Sequence, residues 1–300
     1  FLAGHNGMGG SAILKKLKSL GYKNVICVSK KKLNLLDQRK VENFLKKKKP
    51  KVVIIAAARV GGILANNNNK ASFLYENLTI QTNIIHSSFL AGVKNLIFLG
   101  SSCIYPKKTK QPIKESFFMT GPLENTNDAY AIAKITGVKM CMEYSKQYKL
   151  NYKTLMPANM FGSNDNYDLK SSHFFPALIN KIHNAKIKKK KIIILWGNGK
   201  PKRELLYVED FADACIFFMR KKTKESFINI GSGIEKTIKG FAKYIMKRLN
   251  VNLKIKYDLT KPNGMQRKKL DLSISKKYGW KSKTNLDEAF KKVYLDYLKN

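Results

Sequence analysis

An α/β fold, a doubly wound parallel sheet with a smaller, mostly C-terminal α/β lobe, is predicted by three observations. Short unbroken apolar runs alternate with helical patterns through the first half of the chain. Glycine recurs at every third position between the first apolar residues and the first helix. Past residue 160 the texture changes to loops and shorter elements, with Gly162, Gly197, Gly199, Gly231 and Gly233. Strands covered by helices on both faces read as continuous apolar runs, and such β-α alternation implies a parallel sheet.

In order, residues 25–28 (VICV), 52–57 (VVIIAA) and 96–99 (LIFL) read as buried strands. Between them residues 11–20, 38–45 and 78–91 read as helices, the first given an apolar stripe by Leu14, Leu17 and Leu20. Residues 129–147 form a long helix, 154–156 and 192–196 strands, 211–219 a helix, and 227–230 a strand that returns the chain to the main sheet. Residues 1–160 are therefore expected to form the first lobe, with returns from the C-terminal half, and residues 161–300 mainly a substrate-binding lobe. The chain opens on Phe1 rather than Met, three residues before its first motif, so more of an opening strand is expected upstream, with room for a leader.

A 300-residue chain with 44% hydrophobic and 26% charged content can bury a sizeable core, which excludes disorder and fibres. The longest apolar run, residues 52–58, is far shorter than the roughly 20 residues of a membrane helix. The net charge of +38 invites a nucleic-acid reading, yet only six of the 58 basic residues are arginine, and the runs at 46–49 and 188–191 carry no interleaved aromatics. Lysine is read as a surface default, with no specific nucleic-acid partner and an attraction for small anionic substrates. Cys27, Cys103, Cys141 and Cys215 lack CxxC spacing, so neither a disulfide framework nor a metal site is expected, and the compartment is reducing and cytoplasmic.

Gly4, Gly7 and Gly10 belong to the segment GHNGMGG, directly after Phe1-Leu2-Ala3 and directly before the first helix. One such glycine turns the chain, another admits backbone to a pyrophosphate, and a third packs helix on strand, with the helix N-terminus facing the anion. Gly4, His5, Asn6, Gly7, Met8, Gly9 and Gly10 are thus candidate contacts in a Rossmann-type dinucleotide site. After residue 28 stand Ser29, Lys30, Lys31 and Lys32, with no carboxylate for the adenosine ribose hydroxyls. A cationic cluster headed by Lys30 suits a 2′-phosphate, so NADP(H) is favoured over NAD(H). Asp37 either approaches the adenine edge or caps the helix that follows.

Tyr130 and Lys134 form a YxxxK pair whose spacing puts both side chains on one helical face, and Ser101 follows the strand at 96–99, at the carboxyl edge where open α/β sheets bind ligands. A phenol of ordinary pKa about 10 would be drawn toward useful acidity by the ammonium and a nicotinamide ring, while Ser101 hydrogen-bonds the reacting oxygen.

These residues resemble the extended short-chain dehydrogenase/reductase family, and within it the epimerase-reductases acting on GDP-4-keto-6-deoxymannose. The likeness spans the chain. It rests on GHNGMGG at 4–10, LNLLD at 33–37, AAARVGGILANN at 56–67, NIIHSS at 83–88, LGSSCIYPKKTKQP at 99–112 and NDAYAIAKITG at 127–137. It continues in PANMFG at 157–162, SSHFFPAL at 171–178, WGNGKPKRELLYVED at 196–210 and KPNGMQRKKLD at 261–271. SSCIYP discriminates far better than YxxxK.

The resemblance implies epimerisation at C3 and C5 of a GDP-linked 4-keto-6-deoxy sugar, then NADPH reduction at C4 to give GDP-L-fucose. Protons on C3 and C5 are acidified by the C4 carbonyl; the family assigns the base to the position of Cys103 and the acid to that of His173. Without the resemblance these two would read as a buried thiol and a packing histidine. Tyr130 would protonate the C4 oxygen, Lys134 bind the nicotinamide ribose and tune Tyr130, and Ser101 polarise the carbonyl. Leu99, Gly100, Ser102, Pro157, Ala158, Asn159, Met160 and His173 match positions lining the cofactor. Lys181, Trp196, Arg203 and Asn263 match substrate contacts, Trp196 by stacking and Arg203 by forking onto diphosphate oxygens; Trp196 is equally compatible with a core position.

Three departures stand out. Asn6 occupies a place where relatives often carry arginine, which shifts the 2′-phosphate duty to Lys30. Lys181 stands where arginine is frequent, and Asn263 replaces an aspartate. Relatives form homodimers through helices corresponding to residues 78–91 and 129–147. Within the enzyme class the competing reading is another nucleotide-sugar epimerase or dehydratase, although a dehydratase would offer Thr, Asp and Glu where Ser101-Ser102-Cys103 stands. From a different class, a non-catalytic nucleotide- or RNA-binding scaffold is opposed by the intact set Ser101, Cys103, Tyr130, Lys134 and His173.

Overall fold

The computed structural model describes residues 1–299. Strand β1 (Leu2–Ala3) runs into the glycine loop, and α1 (Met8–Ser19) starts inside that loop rather than after it. There follow α2 (Gln38–Lys48), β2 (Val52–Ile55), α3 (Ile63–Asn68), α4 (Lys70–Leu90), β3 (Asn95–Leu99), α5 (Asp128–Tyr148) and β4 (Asn151–Pro157). The second half holds β5 (Asn159–Phe161), α6 (Phe174–Ile187), β6 (Ile192–Trp196), β7 (Lys202–Tyr207), α7 (Val208–Arg220) and β8 (Phe227–Ile230). It ends in β9 (Glu235–Thr237), α8 (Ile238–Arg248), β10 (Lys254–Asp258), β11 (Arg267–Lys268), α9 (Ser273–Lys277) and α10 (Leu286–Tyr297). Among the described residues no helix is long and apolar enough to cross a membrane.

The main sheet is parallel in the order β1-β2-β3-β4-β8, so residues 227–230 do return the chain to it. Its strands are buried on both faces, as VVII and NLIFL require. Residues 25–28 depart from the expectation. They run beside β1, where Leu2 N donates to Ile26 O at 2.9 Å, but they are half-buried and form no strand. One backbone bond links them to β1, and no register of paired residues extends from it. The stripe of α1 also differs: Ala12, Ile13 and Leu17 face the core, while Leu20 lies past the helix end, 43% exposed. Helix α1 is clamped to α7 by Lys16–Asp213 at 2.8 Å and Lys15–Glu209 at 2.6 Å.

A second sheet places β7 between β5 and β11, all parallel, with β9 antiparallel to β7; β6 and β10 pair separately. Its pin is Glu204 on β7, wholly buried. One carboxylate oxygen accepts from Gly233 N at 2.7 Å and the other from Leu270 N at 2.8 Å. Burial raises its pKa, and those backbone donors oppose the rise. Glu204→Gln turns one acceptor into a donor aimed at an N–H. It is expected to cost about 1–3 kcal/mol in urea unfolding, since an unsatisfied buried polar group bears its full desolvation penalty; an unchanged midpoint would mean the pin is dispensable.

Candidate active site

The glycine loop obeys steric limits. Gly4 has φ +86°, and a Cβ there would lie 2.4 Å from Ala57 N; a Cβ on Gly10 would lie 2.0 Å from Gly4 O. Helix, turn and strand β2 thus approach to backbone contact. Gly7 is the N-cap of α1, the first turn holds no acidic residue, and no side chain caps the exposed amides. His5 Nδ1 is buried with no partner. A cradle only glycine fits, free helix N–H groups and an orphaned imidazole nitrogen suit a dinucleotide pyrophosphate. Leu99 borders this cradle, its Cδ2 3.6 Å from where a Cβ on Gly9 would stand, and Met160 Cε lies 4.0 Å from the same point. Gly100 packs on Met156, Ser102 is buried, and Ala158 N bonds Ile230 O while Asn159 Nδ2 donates to Glu204 O. Lys30 stands apart in an exposed turn closed by Lys32 N and Leu33 N on Ser29 O. Of the two roles open to Asp37, the cap is the one observed: its carboxylate accepts from Lys40 N at 3.0 Å.

Four of the five residues expected to act on the sugar gather where β3 ends. Helix α5 crosses above β3, and Gly137 makes this possible, since a Cβ there would lie 2.6 Å from the Phe98 ring. Lys134, 3% exposed, donates to Leu99 O at 2.8 Å, with its ammonium 4.6 Å from the Phe98 centroid and 5.8 Å from that of Tyr130. Burial lowers its pKa to about 8. Ser101 N-caps a short 3-10 turn at Ser102–Ile104, its hydroxyl accepting from Cys103 N at 3.4 Å. The expected acidification of Tyr130 is absent from the chain itself. Burial pushes the phenol well above its ordinary value, the neighbouring Cys103 adds to this, and the Ser101 hydrogen bond only partly opposes it. Lys134 is committed to the Leu99 carbonyl instead. Cys103 is buried and its pKa raised by that burial; Lys268, then Ser101 and Lys134, pull it down.

His173 comes from the other side, as N-cap of α6 with its imidazole free of capping. It is fixed by Gly62, whose N donates to Ser171 O at 2.8 Å and whose missing Cβ would fall 2.3 Å from Ser172 O. His173 is exposed, and the protein packed around it, followed by the charge of Lys268, lowers its pKa. Lys268 thus acts electrostatically on both His173 and Cys103, although nothing in a lysine-rich stretch singles out one lysine.

The other expected contacts form a second group. Trp196 is 37% exposed, which excludes the core reading, and the ammonium groups of Lys181 and Lys261 lie 5.4 and 6.0 Å from its ring. Lys181 also donates to Ile194 O at 3.1 Å. Arg203 does not present a free fork: it donates to Lys202 O at 2.8 Å, Met265 O at 2.6 Å and Asn263 O at 3.3 Å. Burial lowers its pKa to about 10. Asn263 spends its Oδ1 on Asn198 N at 2.9 Å, shaping the turn at Gly197. Among the described residues no three His, Cys, Asp or Glu side chains group as a metal site.

A parallel α/β sheet with this cradle and a Ser, Tyr, Lys set at its carboxyl edge defines a nicotinamide-dinucleotide enzyme of the short-chain dehydrogenase/reductase kind. Residues 1–231 match the NAD dependent epimerase/dehydratase family. The chain belongs to that family. It is 47% identical to a GDP-L-fucose synthase of Sinorhizobium fredii, covering 100% of this chain and 95% of that protein, and 41% identical to the Escherichia coli GDP-L-fucose synthase, covering 100% and 96%. Its fold matches a GDP-mannoheptose C4 reductase from Campylobacter jejuni solved with NADP bound, with TM-score 0.88 and 34% identity over 99% of this chain and 96% of that one.

Gly10→Ala is expected to weaken NADPH binding at least tenfold in a fluorescence titration, because the added methyl must force α1 away from the Gly4 carbonyl. Wild-type affinity in that variant would show that the close approach is not needed.

Proposed function

We propose that the protein converts GDP-4-keto-6-deoxymannose to GDP-L-fucose, epimerising C3 and C5 and then reducing C4, with NADP(H) as cofactor. The observation that carries this is the gathering of Ser101, Cys103, Tyr130 and Lys134 at the carboxyl end of β3, where Ser101 accepts from Cys103 N and Lys134 donates to Leu99 O. One sugar carbonyl placed there meets a base for its neighbouring carbons and donors for its oxygen. The full-length likeness to two GDP-L-fucose synthases supports the same substrate.

In epimerisation the Cys103 thiolate takes a proton from the carbon beside the carbonyl and His173 returns one to the opposite face; positioned acids and bases contribute roughly 10² to 10⁴-fold each. NADPH, when bound, supplies hydride to C4. Tyr130, held protonated by burial, gives its proton to the C4 oxygen while Ser101 donates a hydrogen bond. Lys134 keeps two N–H donors beyond its bond to Leu99 O for the ribose beside the ring. Gly4, His5, Asn6, Gly7, Met8, Gly9 and Gly10, with Lys30, Leu99, Gly100, Ser102 and Pro157 to Met160, bound the cofactor; Lys181, Trp196, Arg203 and Asn263 receive the GDP-sugar.

Residues 1–160 with β8 make the cofactor lobe and 161–300 mainly the substrate lobe. The protein acts in the cytoplasm, which fits four free cysteines. It acts as a homodimer through α4 and α5, whose exposed Tyr75, Leu90, Ile132 and Tyr148 give that face an apolar character.

Incubated with the keto sugar in heavy water, the protein should introduce deuterium at C3 and C5, and Cys103→Ser should abolish this. Tyr130→Phe should spare exchange while lowering NADPH consumption about 10²-fold or more; retained reduction would remove Tyr130 from its role. Exchange needs the thiolate alone. With the thiol raised by burial, its rate should climb about tenfold per pH unit from pH 6 to 8. Inversion also needs protonated His173, whose pKa is lowered, so product formation should level off over the same range. A flat exchange profile would remove Cys103 as the base.

A further inference from the structure

Tyr130 lies in the first turn of α5, at a helix start with little of its own to hold it. The N-cap Asn127 makes no side-chain cap, its buried Oδ1 has no partner, and Asp128 takes only the Ala129 amide at 2.8 Å. The first N–H groups of a helix lack partners inside it, and a helix end without a cap frays. Two contacts reach this turn from the start of α4. Lys70 donates to Asn125 O at 2.6 Å and pairs with Asp128 at 2.9 Å, on a half-exposed surface where such pairs contribute little. Phe73, 3% exposed, stands with its ring nearly perpendicular to that of Tyr130, at 78° and 6.4 Å between centroids, within the range in which aromatic pairs attract. Phe73 is itself immobilised. The Asn77 side chain donates to its carbonyl at 2.7 Å and holds Arg59 by both N and O, the Arg59 guanidinium lies 5.1 Å from its ring centroid, and a Cβ on Gly61 would come 3.3 Å from its Cζ.

We propose that Phe73 is a positioning residue for carbonyl reduction, whose ring fixes the Tyr130 phenol in the orientation that delivers its proton. This rests on the reading of Tyr130 as proton donor. In that step hydride passes from NADPH to C4, the carbonyl π electrons move onto the oxygen, and the phenol proton completes a hydroxyl; NADPH is oxidised, the ketone is reduced, and the phenolate regains a proton from water. Orientation matters because proton delivery needs heavy atoms within about 2.6–3.2 Å, and a displacement of about 1 Å can lower a rate about 10²-fold. Lys134, bound to Leu99 O, fixes α5 one turn further on, whereas the turn that carries Tyr130 is met from another helix by Phe73. The loop at Gly61 has its own ties, since Asn66 Nδ2 donates to Gly61 O at 2.6 Å and Gly62 N to Ser171 O at 2.8 Å. Loss of the Phe73 ring therefore leaves His173 in place.

Phe73→Leu and Phe73→Met remove the ring while keeping an apolar side chain. Each should lower kcat for NADPH consumption about tenfold, with KM for the GDP-sugar and for NADPH within about twofold of wild type, while deuterium entry at C3 and C5, followed without NADPH, stays within about twofold. The decisive comparison is made in a Tyr130→Phe background, with reduction followed in a single turnover. With no hydroxyl left to orient, Phe73→Leu should there cause no further loss, since two changes acting through one interaction are not additive. A further loss of about tenfold on top of Tyr130→Phe would show that Phe73 acts elsewhere, and equal loss of exchange and reduction would make it a packing residue; either overturns the proposal. Lys70→Met should leave reduction within about twofold, and a loss as large as that of Phe73→Leu would assign the effect to the ion pair instead of the ring. Reduction retained in Tyr130→Phe alone would sink the reading of Tyr130 as donor, whereas wild-type kcat in both Phe73 variants beside an impaired Tyr130→Phe would sink only the role of Phe73.

Discussion

The hydrogen bond from the Lys134 ammonium to the Leu99 carbonyl, 2.8 Å long and shut away from solvent, is the constraint on which the site depends. A buried cation left unpaired is costly, so α5 must sit where this bond can form. The same placement puts Tyr130, one turn earlier, over the end of β3, and the Phe98 ring beneath Lys134 fills the space that Gly137 opens. Leu99 ends the strand and Ser101 begins the turn that carries Cys103. One internal contact therefore aligns a helix and a strand end, and the groups on both fall into a common register without a ligand to gather them.

Much of this was readable from sequence where the physics is local. VVII and NLIFL announce buried strands because parallel sheets exclude water from both faces, and Tyr130 with Lys134 announces itself through helical spacing. The glycine triplet is legible because two of its members touch backbone. VICV at residues 25–28 looks the same in composition, but a strand is defined by pairing with a distant segment, and here a single bond to Leu2 N is made, which a local run cannot reveal. Helix α4 begins at Lys70, before the pattern that marks 78–91; upstream of residue 78 it buries Phe73 and the polar Asn77, which donates to Arg59 O. Cys103 and His173 became legible only through the family motif. Lys268 carried no signal, because its meaning comes from pairing with Arg203 far away in the chain.

The large positive charge separates into two populations with different physical roles. Most lysines lie on the surface, where they raise the concentration of anions near the protein and are screened within about 8 Å at physiological salt. Lys134, Lys153 and Lys268 are instead desolvated to pKa values of about 8. Lys153 shows the structural version: wholly enclosed, it donates to Phe218 O at 3.0 Å and to Lys221 O, closing the C-terminal end of α7. Lys134 is both structural and chemical. Net charge alone could not distinguish these cases, since burial and the direction of the ammonium decide what each lysine does.

The two halves of the proposed chemistry attach to the fold differently. Ser101, Tyr130 and Lys134 all hang from β3 and α5, within one sheet and its covering helix, so carbonyl reduction depends on contacts inside a single layer. The proposed epimerisation draws Cys103 from that layer but His173 from the start of α6, which the Gly62–Ser171 bond holds in place. A proton must be removed from one face of the ring and returned to the other, and two opposed faces can be reached only from two walls. The proposed inversion thus draws on contacts between the two sheets, whereas the proposed reduction draws on contacts within the first. Perturbing the seam between the sheets should therefore weaken inversion before it weakens reduction.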